Sequence, residues 1–192
     1  MGIQDDPVIA FASQAKFAAW LAKEHSKSDG IWLKLAKKNS GIPSLTHDEA
    51  LDIALRYGWI DGQAKSVDDA YWVQRFTPRR ARSKWSKKNA TRAEELIASG
   101  EMKPAGLREV ERAKADGRWD AAYDPPSKIS VPPDLQKELD RSKKARDFFA
   151  SLNSTNRYAI LYRIQDAKKP ETRARRIEKF VAMLKAGEKL HP

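Results

Sequence analysis

The sequence predicts an α+β protein: a small, mostly antiparallel sheet with helices in the N-terminal part, followed by an all-α C-terminal helical segment. Three observations carry this reading. Strand-like alternation is confined to residues 1–76, and helical periodicity dominates from residue 86 onward. Between them and the chain's end, four of the ten prolines (Pro125, Pro126, Pro132, Pro133) cluster in residues 124–133, the composition of a stiff, extended linker. The expected organisation is an α+β domain over 1–123, a Pro-rich linker over 124–133 and a helical segment over 134–192. At 192 residues the chain is long enough to bury a sizeable core.

Each element has a local reason. Pro7-Val-Ile-Ala-Phe11 is a short apolar run that reads as an edge strand. Ser13 is placed to cap a helix whose Phe17, Trp20 and Leu21 form an apolar stripe. After the turn residues Ser28-Asp-Gly30, Ile31, Leu33 and Leu35 alternate as in a half-buried strand. Thr46-His-Asp-Glu49 is a capping box opening a helix with Ala50, Ile53, Ala54 and Tyr57 on one face, and Gly58 is its left-handed stop. Trp59 then begins a strand toward Val67, Asp68-Asp-Ala70 turns it, and Tyr71–Phe76 returns as its partner. Thr77-Pro78 ends the sheet, because proline has no N–H for the ladder.

The remainder reads as helical. Ser86 precedes a helix with Ala90, Ala93, Leu96 and Ile97 on one face, ended by Gly100. A second helix over about 104–115 begins with Pro104 near its first turn. Beyond the prolines, helices are expected from Leu135, from Ala145, from Asn156 and, last, from Glu171 to Ala186 with Ile177, Val181 and Leu184 at core spacing.

The net charge is +11, and it is unevenly spread. Residues 1–75 carry nine Lys and Arg against ten Asp and Glu, whereas 76–118 carry twelve against six and 119–192 sixteen against ten. The excess starts at Arg75–Asn89, "RFTPRRARSKWSKKN", with seven basic residues, no acid and a central Trp. Such a potential attracts polyanions. The expected anion- or nucleic-acid-binding residues are Arg79, Arg80, Arg82, Lys84, Trp85, Lys87 and Lys88. To these are added Arg173, Arg175 and Arg176, at a helix start where an anion would be favoured. Trp85 is open to two roles, a stacking partner for a base or an anchor that pins the loop to the core.

Other chemistry is thinly signalled. There is no cysteine, hence no disulfide framework and no thiol nucleophile. His25, His47 and His191 lack zinc spacing, so no metal and no cofactor is expected; His47, in a first helical turn, reads as solvated. No phosphate loop and no nucleophile elbow occur. Asp61, with Trp59 beside it, is the candidate for a ligand pocket, the alternative being that it satisfies turn N–H groups. No catalytic residue is assigned. The acidic start, Met1-Gly-Ile-Gln-Asp-Asp-Pro7, lacks the features of a signal peptide or a myristoylation site, so a cytoplasmic location is expected, with no transmembrane segment.

Four ordered blocks carry a resemblance: "YGWIDG" (57–62), "QRFTPRRARSKWSKKN" (74–89), "GEMKPAGLREVE" (100–111) and "AKKPETRARRIEKFVAML" (167–184). Together they resemble the YdeI/OmpD-associated family, whose members are labelled bacteriocin-protection proteins, and residues 134–192 are its OmdA-like segment. The resemblance implies a bacterial link to antimicrobial-peptide resistance and to an outer-membrane porin, and brings no catalytic residues with it. Two functions of different class are therefore expected. One is a non-enzymatic, basic protein of the stress or envelope-defence type that binds nucleic acid or another polyanion. The other is an enzyme or small-ligand binder with an arginine-lined pocket near Asp61 for a carboxylate or phosphate. Self-association through the C-terminal helices is a further expectation, since small helical units are marginal alone.

Overall fold

The structure, a computed structural model, describes residues 6–192. The segment Met1–Asp5, which bears most of the reading about targeting, lies outside the described residues. The fold is α+β and the described residues divide into two compact units, one of residues 6–85 with 89–121 and one of residues 86–88 with 122–192.

The first unit holds a four-stranded sheet made of β1 (Val8–Ile9), β2 (Ile31–Ala36), β3 (Trp59–Ser66) and β4 (Tyr71–Pro78), in the order β1-β2-β4-β3. The sheet is mixed: β4 is antiparallel to both neighbours, while β1 runs parallel to β2 at the edge. Ile31, Leu33 and Leu35 share one face as the alternation requires, yet Trp32 on the other face is only 4% exposed. β2 is therefore buried on both sides, because it is an inner strand and Lys65 Nζ lies 4.3 Å from the Trp32 ring centre.

The helices of this unit follow their caps. In α1 (Gln14–Glu24) the Ser13 side chain accepts from Lys16 N–H, and Phe17 and Leu21 are buried. α2 (His47–Arg56) has the full capping box, with Thr46 and Glu49 each bonded to the other's backbone N–H. Gly58 follows with φ +74°, the left-handed stop expected of it. α3 (Lys87–Ala98), of which residues 89–98 belong to this unit, buries Ala90, Ala93 and Leu96, while Ile97 turns outward to solvent. Arg92 ties α3 to α2 through a two-pronged contact with Asp52 at 2.8 and 2.6 Å. α4 (Pro104–Ala115) packs against the end of α2, where Lys103 N–H donates to Arg56 C=O at 3.0 Å.

The β3–β4 hairpin turns on Asp68, whose Oδ1 accepts from Ala70 and Tyr71 N–H at 2.8 and 2.7 Å. One extra residue enters β3 between Asp61 and Ala64, a β-bulge. The buried Gln74 donates to Gly62 C=O at 2.9 Å, so the bulge leaves that carbonyl paired.

The second unit is helical: α5 (Pro133–Asp140), α6 (Lys143–Ser151), α7 (Ser154–Gln165) and α8 (Pro170–Ala186) enclose Leu135, Phe149, Ile160, Ile164, Phe180 and Leu184. The Pro-rich stretch lies inside this unit. Lys128 and Ile129 N–H fold back onto Pro125 C=O, and Ile129 and Val131 pack on the helical core. Apolar residues at 129 and 131 bury area there, which a solvated spacer would leave in water. Asn156, 1% exposed, holds the C-terminal backbone with both ends of its amide: it donates to His191 C=O and accepts from His191 N–H.

Candidate functional site

The basic stretch leaves β4 at Pro78 and forms a tight loop in the first unit. Arg79 N–H donates to Gly58 C=O at 2.9 Å, which fixes the loop's start against the end of α2. Ser83 closes it, donating its N–H to Arg80 C=O and accepting Arg80 N–H on its Oγ, both at 2.9 Å. Trp85 is 2% exposed and its ring packs 4.8 Å from that of Trp119. The Arg79 guanidinium, itself in a residue 5% exposed, stacks on the Trp85 ring at 3.5 Å. A desolvated stack of that kind is worth about 2 kcal/mol.

Three guanidinium groups hold this loop by its backbone. Arg79 Nη1 donates to Lys84 C=O at 3.1 Å, Arg118 Nη1 to Ser83 C=O at 2.7 Å, and Arg112 Nη2 to Arg79 C=O at 3.4 Å. Arg118 is steered by Asp116 at 2.8 Å and Arg112 by a close contact with Glu109. Each bond gives a loop carbonyl a donor, and a charged donor makes it stronger than an ordinary amide bond. The side chains of Arg80, Arg82 and Lys84 face solvent from this braced turn.

The sequence-predicted residues therefore separate by role. Arg79 and Trp85 are interior parts of the loop's own support, and Trp85 has no face open to a base. Arg80, Arg82 and Lys84 are each exposed on the turn. Lys87 and Lys88 group with the second unit, where Lys87 Nζ pairs with Asp124 at 2.7 Å. Arg173 is bonded to Asp134 at 2.5 and 2.9 Å and donates to Ile164 C=O at 3.0 Å. Arg176 donates closely to Arg163 C=O and lies 3.7 Å from Asp166. Both arginines thus cap the carbonyl end of α7, where a cation is favoured by the helix dipole; Arg175 is exposed.

Trp59 is 1% exposed, stacks edge-to-face with Trp20 at 5.8 Å and donates its Nε1–H to His25 C=O at 3.1 Å. Asp61 meets a histidine instead of an arginine: its Oδ2 is 3.2 Å from His47 Nε2. Asp61 pairs across the hairpin with Phe76 and so shares that face, whereas Arg75 leaves from the opposite face and pairs with Asp6 at 2.6 Å. Sequence reasoning missed Arg112, Arg118 and the His47–Asp61 pair. Their partners lie 33, 35 and 14 residues away, so no local motif could have marked them.

His47 has Asp61 on one ring nitrogen and Asp48, at 3.5 Å, on the other. The hydrogen bond to Asp61 raises its pKa above the ordinary 6.5, against the opposing effect of burial. A raised folded-state pKa means that the pair's stabilisation is complete below about pH 6.5 and fades as pH climbs through the folded value. Denaturant titrations across pH should show that loss in the parent protein and its absence in Asp61→Asn. Identical pH profiles for the two would discard the pair's contribution.

The fold defines the class: a basic, two-unit α+β protein with a braced turn at residues 79–84 in one unit and four helices in the other. Among the described residues no helix is long and apolar enough to cross a membrane. The chain belongs to the family of a domain of unknown function (DUF8412), matched over residues 9–109, and its residues 128–187 carry the OmdA domain, described as "Bacteriocin-protection, YdeI or OmpD-Associated". Comparison with curated proteins and with solved structures gives no match.

Proposed function

We propose that the protein binds phosphate-bearing polyanions through Arg80, Arg82 and Lys84, a binding role of the stress or envelope-defence type. The observation that carries this reading is the bracing of the turn by Arg79, Arg112 and Arg118. A flexible basic loop must lose conformational freedom when it grips an anion, and this one is ordered beforehand. The supporting guanidiniums also add to the positive potential beneath the exposed cations. Arginine's fork matches a phosphate's oxygens, which favours Arg80 and Arg82 as the direct contacts.

The test is a fluorescence-anisotropy titration with duplex DNA, single-stranded DNA and RNA over a range of salt. Neutralising three phosphates makes log affinity fall by about 2–3 units per unit of log salt. The triple variant Arg80→Ala/Arg82→Ala/Lys84→Ala should lose most of that slope while keeping the parent's thermal transition. Absence of binding to all three probes at low salt excludes nucleic acid, and absence of binding to anionic lipid vesicles as well overturns the reading. A triple variant that binds as the parent does also overturns it.

A further inference from the structure

A second surface, in the helical unit, is independent of the basic turn. A groove of about 1140 Å³ runs between α5 and α8. Its floor is the nearly buried Ile177 and Val181, and its α8 rim is formed by Glu171, Ala174, Arg175, Glu178, Ala182 and Lys185, all six exposed. These six recur at three- and four-residue spacing, so they lie on one stripe of a 17-residue helix about 25 Å long.

The charges along that stripe are ordered. Glu171 stands at the amino end, Lys185 at the carboxyl end, and Arg175 and Glu178 between them. A helix lying antiparallel along this stripe is matched there by a cation at the Glu171 end and an anion at the Lys185 end, while Lys137 and Glu138 on the α5 wall carry one charge of each sign. α8 of a second copy does this. With the two-fold axis at Glu178, Glu171 of each copy faces Lys185 of the other, and Ala174 faces Ala182. Arg175 of each copy lies one turn from the axis, beside the other copy's Glu178, and offsets the approach of the two Glu178 carboxylates. The alanines lack the bulk that would hold the helices apart, which allows an axis separation of about 8 Å. The same patch serves both partners, the defining property of a two-fold interface.

We infer that this face of α8 is a self-complementary docking surface for a second copy of the chain, with the two α8 helices antiparallel about Glu178. The test is sedimentation equilibrium on the full-length protein. The parent should show a concentration-dependent dimer below roughly 100 µM, the range of a modest interface. Ala182→Arg, at an exposed site, should leave the helical circular dichroism unchanged and abolish the dimer. Lys185→Glu breaks two ion pairs at once by symmetry and should weaken association about tenfold. Adding Glu171→Lys to it restores opposite charges at both contacts and should recover the parent's association, a rescue that mere helix damage would not produce. A parent that stays monomeric leaves the groove to a helix of some other protein and overturns the inference. So does a dimer indifferent to Ala182→Arg, or a charge-swapped pair that is not rescued.

Discussion

Trp85→Ala should lower stability by about 3–5 kcal/mol, the cost of emptying a buried aromatic site. The loss has two sources. The ring is 2% exposed, so its removal leaves a cavity against Trp119, and the Arg79 guanidinium loses the face on which it stacks. Trp85→Phe keeps an aromatic face for Arg79. It also removes an indole Nε1–H that is buried without a hydrogen-bond partner, so it should cost markedly less than the alanine variant. Urea unfolding of both variants measures the difference. If Trp85→Ala proves nearly neutral, the turn is not pinned by this residue, and the preorganisation argued for Arg80, Arg82 and Lys84 falls with it. If it is costly, polyanion affinity should drop too, although no contacting cation has been touched.

The second large effect has a sign opposite to the one helix propensity suggests. Gly106 lies within α4, where Gly→Ala ordinarily stabilises by about 1 kcal/mol. Here a methyl group would meet Met102 Sδ and stand 2.5 and 2.7 Å from Arg56 C=O and Leu55 C=O. The methionine can swing away, but the two carbonyls are backbone at the end of α2, and Arg56 C=O accepts Lys103 N–H only because the helices approach this closely. Gly106→Ala should therefore destabilise by about 1–3 kcal/mol, and Gly106→Val by more. For a protein of this size that lowers Tm by roughly 2–4 °C for each kcal/mol. A Gly106→Ala protein that melts at or above the parent would show that α2 and α4 separate without cost.

Much of the architecture was legible from short-range pattern. Thr46 and Glu49 announce α2, Gly58 its end, and Asp68 the hairpin turn, because each acts on backbone groups within a few residues of itself. α4 begins at Pro104 for the same local reason, and α8 begins at Pro170, one residue before the start expected at Glu171. The β1 pairing was not legible in its direction, since two residues at an edge carry no register information of their own. Nor was the fate of residues 124–133, where proline content signals stiffness but Ile129 and Val131 decide burial.

The basic residues show the same division more sharply. From the sequence alone, Arg79, Arg80, Arg82, Lys84, Arg173, Arg175 and Arg176 are equivalent positive charges beside a Trp or at a helix start. Composition and spacing determined the fold class, most helix limits and the place where positive charge begins to accumulate; four ordered sequence blocks carried the family resemblance. Only the tertiary structure decided which cations are occupied with carbonyls and which face water. It buried Arg79 on Trp85, brought Arg112 and Arg118 from α4 and its exit to the turn at 79–84, and set Arg173 and Arg176 on the end of α7. The physical reason is reach. Caps and turns are satisfied by neighbours in the chain, whereas a carbonyl left over by a loop accepts a bond from whatever donor the packing of distant elements delivers.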